Sequence, residues 1–205
     1  MSLDFISIPP ANRQPPTHLL VALHGWGANA QDLAPLASMF DLADYQFLFP
    51  DAPFPHPQVP WGRAWYALET GDYRGLAESR QILLDWLLSL ECTTGVPLSR
   101  TFLSGFSQGG AMALDVGLNL PLAGLCSLSG YLHFKPQATS AALPPVLIVH
   151  GRQDQIVPVK AAQQARDELT ALGVPVEYQE LNMGHEIQPE VLALMHRFIS
   201  ARESG

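Results

Sequence analysis

Cysteines, basic side chains and long apolar runs are all scarce in this sequence. Only two of the 205 residues are cysteines, and neither a Cys-x-x-Cys pair nor a Cys/His spacing typical of a metal site occurs. Cys92 ends an apolar helical pattern and Cys126 lies inside an apolar run, so both are predicted to be small core residues. We therefore expect no metal site.

The charge balance is acidic. Lysine and arginine number 11 against 19 aspartates and glutamates, which gives a formal net charge of -8 at pH 7. Proteins that bind nucleic acids need clustered basic side chains to neutralise phosphates, and anionic lipid surfaces attract basic segments in the same way. The composition therefore argues against a nucleic acid partner and against strong attraction to anionic membranes. Solubility is the simplest role for this charge.

No apolar run approaches the ~18 residues of a membrane-spanning helix. The first five residues, Met1 to Phe5, lack the basic and apolar regions of a secretory signal. We therefore expect a cytoplasmic protein without stable membrane insertion. The length suits a single domain over residues 1–205, and the apolar fraction of 47% is ordinary for a globular protein that folds without disulfides.

Short apolar runs alternate with longer amphipathic segments along the chain. The apolar runs predict six strands, at 19–23, 45–49, 101–104, 122–128, 145–150 and 176–181. The amphipathic segments predict helices at 29–40, 75–90, 111–118, 159–172 and 189–201, while five prolines within 50–62 predict an irregular loop. Strands separated by helices indicate an α/β fold with a mostly parallel central sheet and helices on both faces. Ligands of such sheets bind outside the carboxyl ends of the strands, so the turns there are where functional residues are expected.

A glycine-rich turn follows the third predicted strand. It reads GFSQGG over residues 105–110 and matches the G-x-S-x-G pattern of a nucleophile elbow. An abrupt strand-to-helix turn strains the serine backbone and leaves no room for side chains at Gly105 and Gly109. The helix start behind the serine offers free N–H groups and the positive end of its dipole. The alternative is a glycine-rich turn with an incidental serine, but the strand–turn–helix context favours Ser107 as the nucleophile of an α/β-hydrolase fold.

A serine nucleophile needs a base, and the base needs an orienting acid. In the α/β-hydrolase fold the acid follows the serine in the chain and the histidine comes last. After Ser107, Asp154 is the one aspartate that follows a predicted strand, whereas Asp115 and Asp167 lie within predicted helices. Asp154 is therefore the predicted acid, and a turn-forming or helix-capping aspartate is the alternative.

The same chain order leaves two histidines as candidates for the base. His185 follows the last predicted strand, and Gly184 before it permits an unusual backbone and leaves room for the ring. His196 lies within the terminal helix, where a surface or packing role is expected. His185 is the predicted general base, since a plain loop role for it would leave the serine without one.

Acyl transfer also needs two backbone N–H donors directed at the developing oxyanion. One is predicted from Gln108, the residue after the nucleophile, and the other from Trp26, which glycines flank in the loop after the first strand. The alternative is that this loop is only a turn. His24 and His150, which precede glycines at strand ends, are predicted to be structural.

Five segments together resemble the acyl-protein thioesterase, carboxylesterase and lysophospholipase family of α/β-hydrolases, and the resemblance spans nearly the whole chain. The segments are LHGWG at 23–27, FPDAP at 49–53, GFSQGG at 105–110, HGRQD at 150–154 followed by Val157-Pro158, and Gly184-His185. GFSQGG is the most specific of them. The resemblance implies a compact hydrolase with no large cap domain and no cofactor, which cleaves esters or thioesters of fatty acyl chains.

An apolar acyl pocket is the further implication of this resemblance. Its candidate lining residues are Phe54, Trp65, Phe106 and Met183, and core packing is the alternative for each. The expected partner is a small-molecule or acylated substrate, and exposed groove edges leave a homodimer open. Two other functions stay open: a dienelactone-hydrolase-like or peptidase-like enzyme, and a catalytically silent ligand-binding protein. The usual dienelactone nucleophile is cysteine, which argues against the first.

Overall fold

The computed structural model describes residues 3–69, 71–137 and 143–202 and is built around one large sheet. The strands are β1 Phe5–Ile8, β2 His18–Leu23, β3 Tyr45–Pro50, β4 Phe54–Pro55, β5 Arg63–Ala64, β6 Thr101–Phe106, β7 Gly124–Leu128, β8 Val146–Gly151 and β9 Val176–Leu181. Seven of them form the sheet in the order β1-β3-β2-β6-β7-β8-β9, and β4 pairs with β5 in a separate hairpin. Every neighbouring pair in the large sheet is parallel except β1 with β3, which confirms the predicted mostly parallel sheet.

Helices cover both faces of this sheet, as predicted. They are α1 Ala30–Leu33, α2 Leu76–Thr94, α3 Gln108–Gly117, α4 Val159–Ala171 and α5 Pro189–Ser200, with 3-10 segments at Ala34–Met39 and Leu98–Arg100. Successive side chains of a strand point to opposite faces, so each inner strand contributes to two cores. On β2, Leu19 and Val21 belong to the core that includes buried residues of α2, α3 and α4, whereas Leu20 belongs to the core that includes buried residues of α1 and α5.

The structure differs from the sequence-based prediction in three short strands and in two of the helices. β1 was not predicted, and the proline-rich loop holds the short hairpin β4–β5. The helix predicted at 29–40 is α1 followed by a 3-10 segment, because Pro35 has no N–H to continue an α-helical ladder. The third helix starts at Gln108 rather than at residue 111. Between β3 and α2 the described residues carry only the hairpin, so no large cap domain covers the strand ends.

The two cysteines differ in exposure. Cys126 is buried in β7, as predicted, but Cys92 is exposed near the carboxyl end of α2. The prediction of Cys92 as a core residue is therefore wrong, because it lies outside the buried stripe of that helix. Among the described residues, no helix combines the length and the apolar character needed to cross a membrane.

The sheet brings the three predicted reactive residues to one edge. Ser107 directly follows β6, Asp154 follows β8, and His185 follows β9. The strands run parallel in the sheet, so their carboxyl ends and the turns after them lie side by side. Residues that are far apart in sequence thereby meet at the sheet edge where ligands of this architecture bind.

Two leucines on α2 provide a matched test of the core. Leu83 has no exposed surface, whereas 53% of Leu88 is exposed on the same helix. We expect Leu83→Ala to lower the free energy of unfolding by about 2–5 kcal/mol, because it removes buried methyl groups and leaves a cavity. Leu88→Ala should change it by less than about 0.5 kcal/mol. Urea unfolding followed by circular dichroism measures both, and equal losses for the two variants would contradict this packing.

Candidate active site

Ser107 stands on a sharp turn between β6 and α3. Its φ of 55° and ψ of −117° lie in a region that L-residues seldom occupy. A Cβ atom on Gly105 would stand 2.1 Å from the carbonyl oxygen of Gly109, and one on Gly109 would stand 2.3 Å from the carbonyl oxygen of Leu23. Because these neighbours are backbone atoms, only glycine fits at both positions. The turn therefore holds the geometry expected of a nucleophile elbow.

Hydrogen bonds link Ser107, His185 and Asp154 into one chain. His185 Nε2 lies 2.9 Å from Ser107 Oγ, and His185 Nδ1 lies 2.7 Å from Asp154 Oδ2. When Nδ1–H donates to the carboxylate, Nε2 is left as an acceptor for the serine hydroxyl proton. The three side chains predicted from chain order thus lie in hydrogen-bond sequence, and the arrangement can activate a serine.

Asp154 is held on its other side by its own turn. Its Oδ1 accepts hydrogen bonds from the Ile156 and Val157 amides at 2.9 and 2.8 Å, and its side chain has no exposed surface. Burial alone would raise the pKa of Asp154, but the hydrogen bonds from His185, Val157 and Ile156 outweigh it and lower the pKa below its usual value. The carboxylate is therefore ionised at neutral pH, and it is directed at the imidazole.

His150 supports this turn from within the sheet. Its fully buried ring places Nε2 2.7 Å from the Val157 carbonyl oxygen and 3.4 Å from Asp154 Oδ2. The contact joins the end of β8 to the far side of the turn that carries Asp154. His150 was predicted to be structural from its place before a glycine at a strand end. Its contact with the acid could not be predicted from that pattern.

The two predicted oxyanion donors lie against the elbow. In the described part of the chain, neither the Trp26 N–H nor the Gln108 N–H donates to a backbone carbonyl. Gln108 begins α3, where the first N–H groups have no partner within the helix. A Cβ atom on Gly25 would lie 3.4 Å from the Ser107 Cβ, so the Trp26 loop touches the serine.

His24 fixes the direction of the Trp26 amide. Its Nε2 accepts from the Ala52 amide at 3.0 Å, so Nδ1–H is the donor to the Gly25 carbonyl oxygen at 2.7 Å. Burial lowers the pKa of His24, and its backbone hydrogen bond opposes this only in part, so the ring is neutral. In a trans peptide the carbonyl and the next N–H point in opposite directions. Holding the Gly25 carbonyl therefore turns the Trp26 N–H to the other side of the peptide.

The four predicted acyl-lining residues divide into two pairs. Trp65 and Met183 are buried, with 0% and 3% of their surface exposed, and the Trp65 indole N–H donates to the His24 carbonyl at 3.0 Å. Because neighbouring segments cover both side chains, their burial favours core packing, the alternative, over a place in the wall of an acyl pocket. Phe54 and Phe106 are partly exposed, and the Phe106 ring centroid lies 4.8 Å from that of His185.

Phe54 and Phe106 line cavities of very different size. Phe54 lines one of about 710 Å³ together with Trp26 and Tyr66, and its wall also includes three exposed charged residues, Glu69, Arg74 and Glu78. Phe106 lines an apolar cavity of only about 30 Å³ between the sheet and α5. Ligand pockets usually measure about 300–1,000 Å³, and of these two cavities it is the Phe54 cavity that reaches this size.

The two aspartates that were not selected as the catalytic acid, Asp115 and Asp167, have other partners. Asp115 pairs with Arg80 at 2.8 Å and contacts the buried ring of His133 at 3.1 Å, and the exposed Asp167 pairs with Arg166. Within 3–69, 71–137 and 143–202, no group of three or more His, Cys, Asp or Glu side chains is placed to hold a metal ion. The contact of Asp115 with His133 was not predicted, because neither residue belongs to a recognisable motif.

The parallel sheet with its helices on both faces and the strained serine at a strand-to-helix turn define an α/β hydrolase. A family model described as phospholipase/carboxylesterase matches residues 8–202. The chain belongs to this family, which confirms the resemblance found in the sequence.

Individual relatives cover almost the whole chain. Acyl-protein thioesterase 1 of Eremothecium gossypii is 29% identical, over 93% of this chain and 90% of the relative. Carboxylesterase SOBER1 of Arabidopsis thaliana is 28% identical, over 89% of this chain and 90% of the relative. The crystal structure of esterase PE8 is 31% identical with a TM-score of 0.92, and the match covers 98% of this chain and 100% of that one.

The contact of the elbow with β2 predicts that the same substitution has very different effects on stability at two glycines. At Gly109 the new Cβ would meet the Leu23 and His24 carbonyl oxygens at 2.3 and 2.6 Å. At Gly184, no atom of the described residues beyond its two chain neighbours would lie within 4 Å of it. We expect Gly109→Ala to cost about 1–3 kcal/mol or more of stability through overpacking. Gly184→Ala should leave the free energy of unfolding nearly unchanged. Thermal unfolding of both variants tests this, and a fully stable Gly109→Ala would refute the close approach.

Proposed function

We propose that this protein is a serine hydrolase that cleaves carboxylic esters or thioesters of acyl chains through Ser107, His185 and Asp154. Its family makes it a carboxylic ester hydrolase. The observation that carries the finer proposal is the hydrogen-bond chain from Asp154 through His185 to Ser107, at 2.7 and 2.9 Å. The names of its relatives, acyl-protein thioesterase and carboxylesterase, support the substrate class.

The proposed reaction passes through an acyl-enzyme. His185 Nε2 takes the hydroxyl proton while Ser107 Oγ bonds to the acyl carbon, and Asp154 stabilises the imidazolium that forms. The tetrahedral intermediate collapses by breaking its bond to the leaving oxygen or sulfur, which receives the proton from His185. Water then attacks the acyl carbon with His185 again as base, and the proton returns to Ser107 Oγ as the acid is released.

The Trp26 and Gln108 amides are the proposed donors to the oxyanion in both halves of the reaction. Gln108 contributes from the first turn of α3, where the helix dipole adds to its N–H. In other serine hydrolases, loss of one such donor raises the barrier by about 3–4 kcal/mol. Preorganised backbone amides are therefore a large part of the proposed rate enhancement.

We propose that the acyl group occupies the Phe54 cavity. Trp26 is both a proposed oxyanion donor and part of the wall of this cavity, which supports binding of the acyl group beside the reacting carbonyl. Its volume of about 710 Å³ admits an acyl chain, whereas the 30 Å³ cavity behind Phe106 does not. Phe106 is proposed to shape the site through its contact with the His185 ring.

The remaining expectations on the state of the protein stay predictions. They are a single domain over residues 1–205, a cytoplasmic location, the absence of a cofactor, and a homodimer as the alternative to a monomer. A catalytically silent ligand-binding protein remains the alternative function, and a serine-directed probe separates it from an enzyme. We expect such a probe to label Ser107.

The first test is hydrolysis of p-nitrophenyl esters from acetyl to palmitoyl by the purified protein without added metal. We expect turnover that Ser107→Ala abolishes while its circular dichroism spectrum stays unchanged, because the substitution removes only the nucleophilic oxygen. The preferred chain length then measures the acyl cavity. Full activity in Ser107→Ala, or no hydrolysis of any ester by the folded wild type, would contradict the proposal.

Asp154→Asn tests the role of the acid with little change in shape. The amide oxygen can still accept from Ile156 and Val157, but its NH₂ would face His185 Nδ1 and favour the tautomer with the proton on Nε2. We expect kcat to fall about 10⁴-fold, as the equivalent change does in a well-studied serine protease. Asp167→Asn, the same change at an exposed aspartate, is the control and should keep wild-type kcat. A loss below tenfold in Asp154→Asn would remove Asp154 from the mechanism.

A further inference from the structure

We infer that the side chain of Gln108 is a positioning group, which clamps segment 63–66 between the two oxyanion donors and so fixes their separation. The inference rests on the proposed function and adds to it a role for a side chain, since the oxyanion donor of Gln108 is its backbone N–H.

The Gln108 carboxamide makes two complementary hydrogen bonds with one stretch of backbone. Its Oε1 accepts from the Trp65 N–H at 2.9 Å, and its Nε2 donates to the Tyr66 carbonyl oxygen at 2.9 Å. The residue is only 1% exposed, so both bonds lie away from solvent. A carboxamide offers one acceptor and one donor at this spacing, whereas an apolar side chain would leave both backbone groups without partners. The pairing ties segment 63–66 to the first residue of α3.

The same segment binds the loop that carries the other donor. Arg63 pairs through its backbone with both sides of a turn, accepting from the Gly27 N–H and donating to the Ala28 carbonyl, each at 2.9 Å. The indole of Trp65 donates to the His24 carbonyl oxygen at 3.0 Å. Trp26 lies between these anchored residues. Segment 63–66 is thus hydrogen-bonded to the Trp26 loop at one end and to Gln108 at the other.

Segment 63–66 is itself held from behind. The Ser79 hydroxyl donates to the Trp65 carbonyl oxygen. The Tyr66 hydroxyl lies 2.6 Å from His133 Nε2 and 2.5 Å from the Tyr131 hydroxyl, and the other ring nitrogen of His133 contacts Asp115. Packed and hydrogen-bonded cores have little freedom to deform. A shift at one end of segment 63–66 therefore moves its other end as well.

A small shift in the separation of the two donors has a large effect on catalysis. The donors must lie about 2.7–3.1 Å from the oxyanion, and a misplacement of 1 Å can cost about 100-fold in rate. The direct contact of Gly109 with β2 sets how close the two backbones lie. The clamp adds the hydrogen bonds that resist their sliding or separating.

The test compares an ester with its thionoester, in which sulfur replaces the carbonyl oxygen. Donors placed for an oxyanion fit the larger sulfur less well, so the ratio of kcat/KM for ester to thionoester reports on the hole itself. We expect Gln108→Met to lower kcat for the ester about 10- to 100-fold with little change in KM, and to bring the ratio towards one. A role confined to stability would lower the melting temperature and leave the ratio at its wild-type value.

Thr101→Val is the matched control. It removes one partly buried hydrogen bond, from the Thr101 hydroxyl to the Pro97 carbonyl oxygen, at the start of β6 and far from the Trp26 loop. It should reduce stability and keep both kcat and the ester-to-thionoester ratio of the wild type. A ratio close to one in Thr101→Val would show that a general loss of stability is enough to lower the ratio, and would overturn the inference.

A second variant, Trp65→Phe, cuts the clamp at its other end by removing the indole N–H that binds His24. It should also bring the ester-to-thionoester ratio towards one, and it replaces Gln108→Met as the test if that variant does not fold. Wild-type ratios in the folded variants would overturn the clamp, and so would failure of both to fold, since the segment would then be a requirement of folding. An inactive wild type, or activity independent of Ser107, would instead refute the proposed function.

Discussion

The close approach of backbone at the turn after β6 is the constraint on which the site depends. At Gly105 and Gly109 the neighbouring main chain lies so close that a Cβ would stand 2.1 or 2.3 Å from a carbonyl oxygen. Between them, Ser107 adopts a strained φ of 55°. Such strain persists only where the surroundings over-determine the conformation. Here β2 and β7 hold β6 on both sides, and α3 begins at once behind the serine. The nucleophile, its oxyanion donor and its contact with the Trp26 loop therefore come from one local geometry.

Buried polar groups extend this local geometry into a preorganised site. His24 holds the Gly25 carbonyl, His150 holds the turn of Asp154, and Gln108 holds segment 63–66. Each is buried with a hydrogen bond to backbone, which is the condition under which a polar group can be buried without a large cost. These side chains do not react in the proposed mechanism. They restrict the loops after the strands, which would otherwise be the most mobile part of the fold.

Much of this arrangement could be predicted from the sequence because strong local patterns carry it. The six predicted strands are present. The elbow motif and the chain order identified Ser107, Asp154 and His185 as candidates, and hydrogen bonds do connect these three side chains. Their catalytic roles stay a proposal. Edge strand β1 and hairpin β4–β5 could not be predicted, because four- and two-residue strands have too few side chains to show a period. Trp65 and Met183 were candidates for the acyl pocket with core packing as the alternative, and composition does not reveal which aromatic or sulfur side chain neighbouring segments will cover.

The sequence by itself determined the class of fold, the elbow and the order of its reactive residues, because glycine spacing and apolar period act over a few neighbouring positions. Only the tertiary structure decided that Gln108 faces the backbone of Trp65 and Tyr66, that Asp115 meets His133, and that Cys92 faces solvent. These contacts join segments far apart in the chain. Their physical cause is the packing of whole elements against each other, which no local pattern of residues records.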